Sequence, residues 1–317
     1  MEREDNVMDY DVIVVGGGPA GLTAALYAGR ARLKTLLVES YSVPGQAVIT
    51  DYVENYPGFP DGINGFDLIE KFKKQAERFG VEFKIGDVKN IKKAGSGWEI
   101  EAEGKAHMAL SLIIASGARP RRLGVEGEER LQGRGVSYCA TCDGALYKDK
   151  DAVLVGGGDT AIQEALFLTR FVKKLSVVHR RDRLRATKIL QERVLADKKI
   201  EFIWESKAIE ILGKDRVEGL RVKNIKTEKE TEISCEGVFI FVGYSPNTDF
   251  LKGVLKLDKS GYILTDQDMK TSKKGIFACG DSRKKLLRQV VTACGDGATA
   301  AFSAEQYVDG LKGVSYK

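Results

Sequence analysis

Apolar and polar positions along the chain fall into short runs that recur. Asp11-Val-Ile-Val-Val15 is an apolar run of strand length, followed directly by the glycine cluster Gly16-Gly-Gly18-Pro-Ala-Gly21. Residues 22–30 are alanine-rich and suited to a helix, and Thr35-Leu-Leu-Val38 is again apolar and strand-like. The same series returns at a constant offset of 140 residues: Asp151-Ala-Val-Leu-Val155, Gly156-Gly-Gly158-Asp-Thr-Ala161, a helical stretch over 162–171, and Ser176-Val-Val178. Strand, glycine turn, helix and strand in register at both places predict two parallel βαβ units and an internal repeat.

Each half continues alike. Phe66, Ile69, Phe72, Ala76 and Phe79 form an apolar stripe at helical spacing that stops at Gly80. Strands are expected over 81–85 and 98–102, leading into the apolar run 112–117. In the second half, 189–196 reads as helix, and 200–204 opens a meander that ends in the apolar run 238–243. Pro120 and Pro246, each just past a terminal glycine, mark linkers. The expected fold is α/β: two Rossmann-like dinucleotide-binding domains of three-layer β/β/α type, the second inserted in the first. The expected boundaries are 1–118 and 247–317 for the first domain and 119–246 for the insertion.

The glycines carry chemistry as well as shape. The first of each cluster (Gly16, Gly156) permits a tight turn, and the next (Gly18, Gly158) lets backbone approach a pyrophosphate. The last position (Gly21, Ala161) lets helix lie close on strand. The phosphates then face a helix N-terminus, where free N–H groups favour negative charge. Eighteen residues after Gly21 stands Glu39, whose carboxylate suits two ribose hydroxyls and repels a 2′-phosphate, as FAD or NAD requires. Eighteen residues after Ala161 stands His179, followed by Arg180, Arg181 and Arg185. Guanidinium forks bind phosphate bidentately, so this second pocket is expected to take NADP.

Composition narrows the class. With 317 residues, 43% hydrophobic, 30% charged and a net charge of +5, the chain has material for two domain cores. Its basic residues are scattered, which argues against a nucleic-acid face. The polar, acidic Met1-Glu-Arg-Glu-Asp-Asn6 is unlike a signal peptide, and no run approaches the ~18 apolar residues of a membrane helix. A soluble, cytoplasmic protein is expected. Of five cysteines only Cys139 and Cys142 are close together, which fits neither a secreted disulfide framework nor a four-ligand zinc site. A Cys-x-x-Cys alone is consistent with a redox motif or half a zinc site; two nucleotide motifs in register favour redox.

The runs Gly16-Gly-Gly-Pro-Ala-Gly-Leu-Thr-Ala-Ala25, Glu54-Asn-Tyr-Pro-Gly58, Cys139-Ala-Thr-Cys-Asp-Gly144, His179-Arg-Arg181 and Gly280-Asp281 with Arg288-Gln289 resemble, in that order, the low-molecular-weight, bacterial-type thioredoxin reductases. The resemblance covers essentially the whole chain. It implies an NADPH-dependent, FAD-containing disulfide reductase, a homodimer, with thioredoxin as protein substrate. A same-fold flavin reductase serving another dithiol protein, of a glutaredoxin-like or peroxiredoxin system, is the alternative.

The resemblance also implies roles. FAD would meet Gly16, Gly18, Pro19, Ala20, Gly21 and Glu39, with Gly45, Gln46 and Asn55 near the flavin. Gly280 and Asp281 would meet its ribityl–pyrophosphate region, and Arg288 and Gln289 would open a helix facing the flavin ring. NADPH would meet Gly156, Gly158, Asp159, Thr160, His179, Arg180, Arg181 and Arg185. Cys142 would receive electrons from the flavin, and Cys139 would attack thioredoxin's disulfide. The chain has two histidines, His107 in the first meander and His179 in the nucleotide pocket, and none near its C-terminus. Asp143, beside the cysteines, is therefore expected as proton donor, or else as a helix-capping carboxylate. Because the cysteines share a domain with the NADPH motif, rotation about the linkers is expected to present each in turn.

Several positions depart from the family or carry less. Pro44 stands where the family usually has glycine, and Ala145-Leu146-Tyr147 follows the redox motif where the family carries bulky aromatics. Cys235, Cys279 and Cys294 are expected as small core residues, and Arg283, Lys284 and Lys285 as a solvated basic run.

Overall fold

The computed structural model describes residues 8–40, 45–50 and 53–314. Its elements, in chain order, begin with β1 (Tyr10–Val15), α1 (Pro19–Arg30), β2 (Thr35–Glu39), α2 (Gly65–Glu77), β3 (Glu82–Ile85), β4 (Val88–Ala94), β5 (Gly97–Ala102) and β6 (Lys105–Ile114). Then come β7 (Ala118–Pro120), β8 (Val136–Ser137), α3 (Ala140–Asp143), β9 (Asp151–Gly156), α4 (Asp159–Leu168), β10 (Lys174–Val178), α5 (Lys188–Ala196), β11 (Ile200–Ile203), β12 (Ser206–Leu212), β13 (Gly219–Asn224), β14 (Glu230–Ser234) and β15 (Gly237–Phe241). The chain ends through β16 (Tyr244–Pro246), β17 (Ile276–Ala278) and α6 (Val290–Lys312). It divides into two compact units, residues 1–119 with 245–317, and residues 120–244. Pro120 and Pro246 both lie in short strands, β7 and β16, which pair as a two-stranded sheet.

In the first unit the sheet runs β3-β2-β1-β6-β5-β4, and β17 pairs with β6. The first four of these strands are parallel, as is β17, whereas β4, β5 and β6 meander antiparallel. The apolar run of residues 12–15 in β1 follows from burial on both faces. Val12 and Val14 face a core shared with α1 and α6, while Ile13 and Val15 face the meander side, with Trp98, Ile100 and Leu251. Full burial of each such side chain is worth about 1.5–3 kcal/mol. Helix α2 starts where Asn64 accepts the amides of Phe66 and Asp67. Its stripe is narrower than the spacing predicts: Ile69 and Ala76 are buried and Phe72 packs on the core edge, but Phe66, in the first turn, is exposed.

The second unit repeats the plan with a five-stranded parallel sheet, β11-β10-β9-β15-β8. Ala152 and Leu154 face α4 and α5, and Val153 and Val155 face the antiparallel sheet β12-β13-β14. Each unit is therefore three-layered: helices, parallel sheet, meander.

Candidate active site

The glycine turns are fixed by close approach. Gly16 has φ +117°, and a Cβ there would lie 2.3 Å from the Ala115 carbonyl oxygen. A Cβ on Gly21 would stand 1.8 Å from the Gly16 carbonyl oxygen, so only glycine lets α1 seat here. Around Gly18, by contrast, there is open space, which leaves its backbone free to meet a ligand. Glu39, at the end of β2, leans over the turn: a Cβ on Gly17 would touch its carboxylate at 2.6–2.8 Å. Burial raises the pKa of Glu39, and Lys73 opposes that shift.

Two of the other first-unit residues, Gly45 and Gly280, lie close to this turn. Gly45 lies near Gly18, and the turn it opens is closed by hydrogen bonds from the Val48 amide to Gly45 O and from the Thr50 hydroxyl to Gln46 O, both 2.9 Å. Pro44 lies outside the described residues. Gly280, with φ +70°, abuts Ala20 in the first turn of α1. Asn55 Nδ2 donates to Gln289 Oε1 at 2.9 Å, and Gln289 caps α6 with Thr292. Two buried polar atoms here have no protein partner, Asp281 Oδ1 and Arg288 Nε. Burial holds the Asp281 carboxyl above its ordinary range, against the pull of Lys285 and Arg288. The Arg288 guanidinium lies 4.2 Å over the Tyr262 ring. Buried polar atoms without partners mark where a bound group belongs.

One expectation fails at this place. Arg283 and Lys285 are not solvated: both pair with Asp296, at 3.1 and 2.7 Å, and the Lys285 side chain is 8% exposed. Asp296 also accepts the Gly280 amide at 3.1 Å, so it ties the Gly280–Asp281 turn to α6. Only Lys284 of the run is exposed. Cys235 and Cys279 are core residues and Cys294 is partly buried. Burial pushes the Cys235 thiol up to about 12, outside the range of a reactive thiolate.

In the second unit the turn is rebuilt with different side chains. A Cβ on Gly156 would meet Ala161 Cβ and Phe241 O, both at 2.6 Å, while Gly158 faces open space. His179 takes the place over the middle glycine: a Cβ on Gly157 would lie 2.4 Å from its ring. His179 is buried, its Nε2 has no partner, and burial lowers its pKa, seconded by Arg181, Arg180 and Arg185. Those three arginines lie on an exposed loop, and none makes an ion pair among the described residues. The Arg185 amide holds the loop to Gly157 O at 2.7 Å, and Asp159 Oδ1 accepts the Thr187 amide at 2.6 Å. Thr160, beside Asp159, lies in the first turn of α4. Three unpaired guanidinium groups and an unpartnered imidazole nitrogen fit a phosphorylated ribose.

Cys139 and Cys142 form a disulfide, with Cα atoms 5.4 Å apart. Cys139 caps α3, and its sulfur accepts the Cys142 amide at 3.1 Å. Ser137 clamps it from behind: Oγ accepts the Cys139 amide and donates to the Cys139 carbonyl, each at 3.1 Å. Helix α3 rests on the far end of α4, where Gly144 packs against Leu168, Phe171 and Phe167. The ten residues of α4, about 15 Å of helix, thus run from the glycine turn to the seat of the cysteines. Asp143 caps neither α3 nor the following 3-10 turn, and its carboxylate has no hydrogen bond or ion pair among the described residues. Tyr147 is an anchor, packed edge-on against Phe239 at 5.2 Å, whereas Ala145 and Leu146 beside it are exposed.

Two nucleotide-binding turns and a disulfide define a class of flavin- and nicotinamide-linked reductases, and comparison agrees. Residues 10–297 match the model of the pyridine nucleotide-disulphide oxidoreductases. The chain belongs to that family and is an oxidoreductase. It is 48% identical over 313 residues to the thioredoxin reductase of Listeria monocytogenes, covering 98% of this chain and 97% of that protein. It is 47% identical over 306 residues to that of Peptoclostridium acidaminophilum, covering 95% and 97%. The solved thioredoxin reductase of Lactococcus lactis superposes with TM-score 0.93 at 44% identity, covering 96% of this chain and all of that one.

Proposed function

We propose that this chain is an NADPH-dependent, FAD-containing thioredoxin-disulfide reductase. The observation that carries the reading is a disulfide seated in the same unit as an unpaired arginine pocket. When bound, FAD supplies a two-electron relay between the nicotinamide and that disulfide. Gly16, Gly18, Pro19, Ala20, Gly21 and Glu39, with Gly45, Gln46, Asn55, Gly280, Asp281, Arg288 and Gln289, hold it. Gly156, Gly158, Asp159, Thr160, His179, Arg180, Arg181 and Arg185 hold NADPH, the arginines selecting the 2′-phosphate.

In the dithiol form, Cys139 attacks one sulfur of oxidised thioredoxin; a mixed disulfide forms and a thioredoxin thiolate leaves. The Cys142 amide that points at Cys139 stabilises the attacking thiolate. The Asp143 carboxyl gives the leaving sulfur its proton. Cys142 then attacks Cys139, restores the internal disulfide and frees the second thioredoxin thiol. NADPH oxidation coupled to thioredoxin should fall at least ~10³-fold in Cys139→Ser and Cys142→Ser, and ~10–100-fold in Asp143→Asn. Retained activity in both cysteine variants, with flavin bound, overturns the reading.

The length of α4 separates the cysteines from the nucleotide-binding glycine turn, which supports rotation about β7 and β16 between two working poses. A crystal form that presents both to one place at once contradicts it. No described helix is long and apolar enough to cross a membrane. A cytoplasmic homodimer follows from the family resemblance, and sedimentation of the flavin-loaded protein as a monomer would contradict the dimer.

A further inference from the structure

Glu128 carries a buried carboxylate that the reaction above does not use. It is 3% exposed, and among the described residues no Lys or Arg pairs with it. Three donors satisfy it instead: the Leu123 amide at 2.8 Å, the Gly124 amide at 2.6 Å and the Tyr138 hydroxyl at 2.7 Å. A carboxylate this buried is kept only where donors replace its water, so all three contacts are specified rather than incidental. Burial of the phenol, and then the same carboxylate, raise the Tyr138 pKa, keeping Tyr138 a donor.

The two ends of this arrangement matter. Leu123 and Gly124 belong to the chain as it enters the second unit, just after the Arg121 amide bonds Gly243 O at 2.8 Å. Tyr138 stands between Ser137, which clamps the Cys139 backbone, and Cys139 itself. We propose that Glu128 is a positioning residue for the redox pair: its carboxylate braces Tyr138 against the entering chain and so fixes the backbone of Cys139. The inference rests on Cys139 and Cys142 as the reactive pair. The brace holds the Cys139 sulfur in line with the Cys142 amide, so loosening it slows exchange and changes how readily the pair is reduced. Electron entry upstream of the disulfide is untouched.

Tyr138→Phe removes one hydroxyl and keeps the ring; Glu128→Gln turns one acceptor into a donor facing other donors. Both are made in the full, FAD-loaded chain. Three quantities are read: kcat and KM for thioredoxin, NADPH-driven ferricyanide reduction (which bypasses the disulfide), and the equilibrium of the pair with glutathione. For Tyr138→Phe we expect kcat for thioredoxin about tenfold lower, KM and ferricyanide reduction within about twofold, and the glutathione equilibrium constant shifted about threefold. Glu128→Gln moves the same quantities further where it folds. Proportional loss of both reactions, or wild-type kcat and equilibrium constant in Tyr138→Phe, overturns the proposal. Cys139→Ser in the same assays loses thioredoxin reduction and keeps ferricyanide reduction; if it keeps both, the reading of the pair itself fails and takes the proposal with it.

Discussion

Gly17 and Gly157 hold the same place in their turns, yet a carboxylate leans over the first and an imidazole over the second. Backbone plan, strand order at the turn and helix placement are shared; the side chain at the end of the following strand is not. The difference teaches how one fold serves two nucleotides. Glycines make room for a pyrophosphate, and the position past the next strand carries a carboxylate in one turn and an imidazole in the other, the difference on which the proposed FAD and NADPH assignments rest. In the second unit the arginine loop is also held to the turn, through the Arg185 amide and Gly157 O.

The comparison breaks most visibly at its one unequal glycine. Gly21→Ala places a Cβ 1.8 Å from a carbonyl oxygen, and should lower flavin affinity at least ~100-fold and depress the melting temperature. The converse change, Ala161→Gly, should cost about 1 kcal/mol from helix propensity alone. Flavin fluorescence and thermal denaturation measure the pair, and equal effects would mean that the turns do not seat their helices differently. Next in size, Arg180→Ala and Arg181→Ala should each raise KM for NADPH about tenfold and leave NADH kinetics unchanged. Parallel changes with both nucleotides would remove the 2′-phosphate from the explanation.

The smallest effect is one of sign. Glu39 is raised above its ordinary 4.5 by burial, so the native protein keeps a proton the unfolded chain has lost. Its contribution to stability is present below pH 4.5 and is lost as pH rises through the raised value. His179 is lowered below its ordinary 6.5, so its contribution is present above pH 6.5 and is lost as pH falls through the lowered value. Denaturation of the apoprotein across pH should lose the falling slope just above 4.5 in Glu39→Gln and the rising slope just below 6.5 in His179→Asn. Two unchanged profiles would show that neither group titrates with folding.

Where the polypeptide itself enforces geometry, the fold and the site are legible in the sequence. The glycine clusters, the apolar strands before them and the Cys-Ala-Thr-Cys pair all carry local signals, and both three-layer units follow from them. What escapes is pairing between distant positions. Arg283 and Lys285 read as a solvated run because nothing nearby announces Asp296, thirteen and eleven residues on respectively, across a turn and a helix start. A basic pair at spacing two, followed by the first acid of an alanine- and glycine-rich helix, is the one signal available. Glu128 escapes for the same reason: its partners are two amides and a phenol, which have no charge to match. The seat of Tyr147 is not legible either: its ring fills the gap left by Gly237, ninety residues on in the sequence.

The return of residues 245–317 to the first unit has a consequence for how the chain is made. Strand β17 pairs with β6, and Gly297 on α6 packs against Ala20, whose carbonyl oxygen would lie 2.2 Å from an added Cβ. Until that last segment leaves the ribosome, the first-made half lacks a strand and its longest helix, while residues 120–244 are continuous and can close alone. At ribosomal speeds of roughly 5–20 residues per second, the N-terminal half waits on the order of ten seconds with its apolar strands uncovered. Proteolysis of chains stalled near residue 270 should find the insertion protected and the N-terminal half open. Synthesis order and folding order are thus reversed: the second unit made is the first one finished.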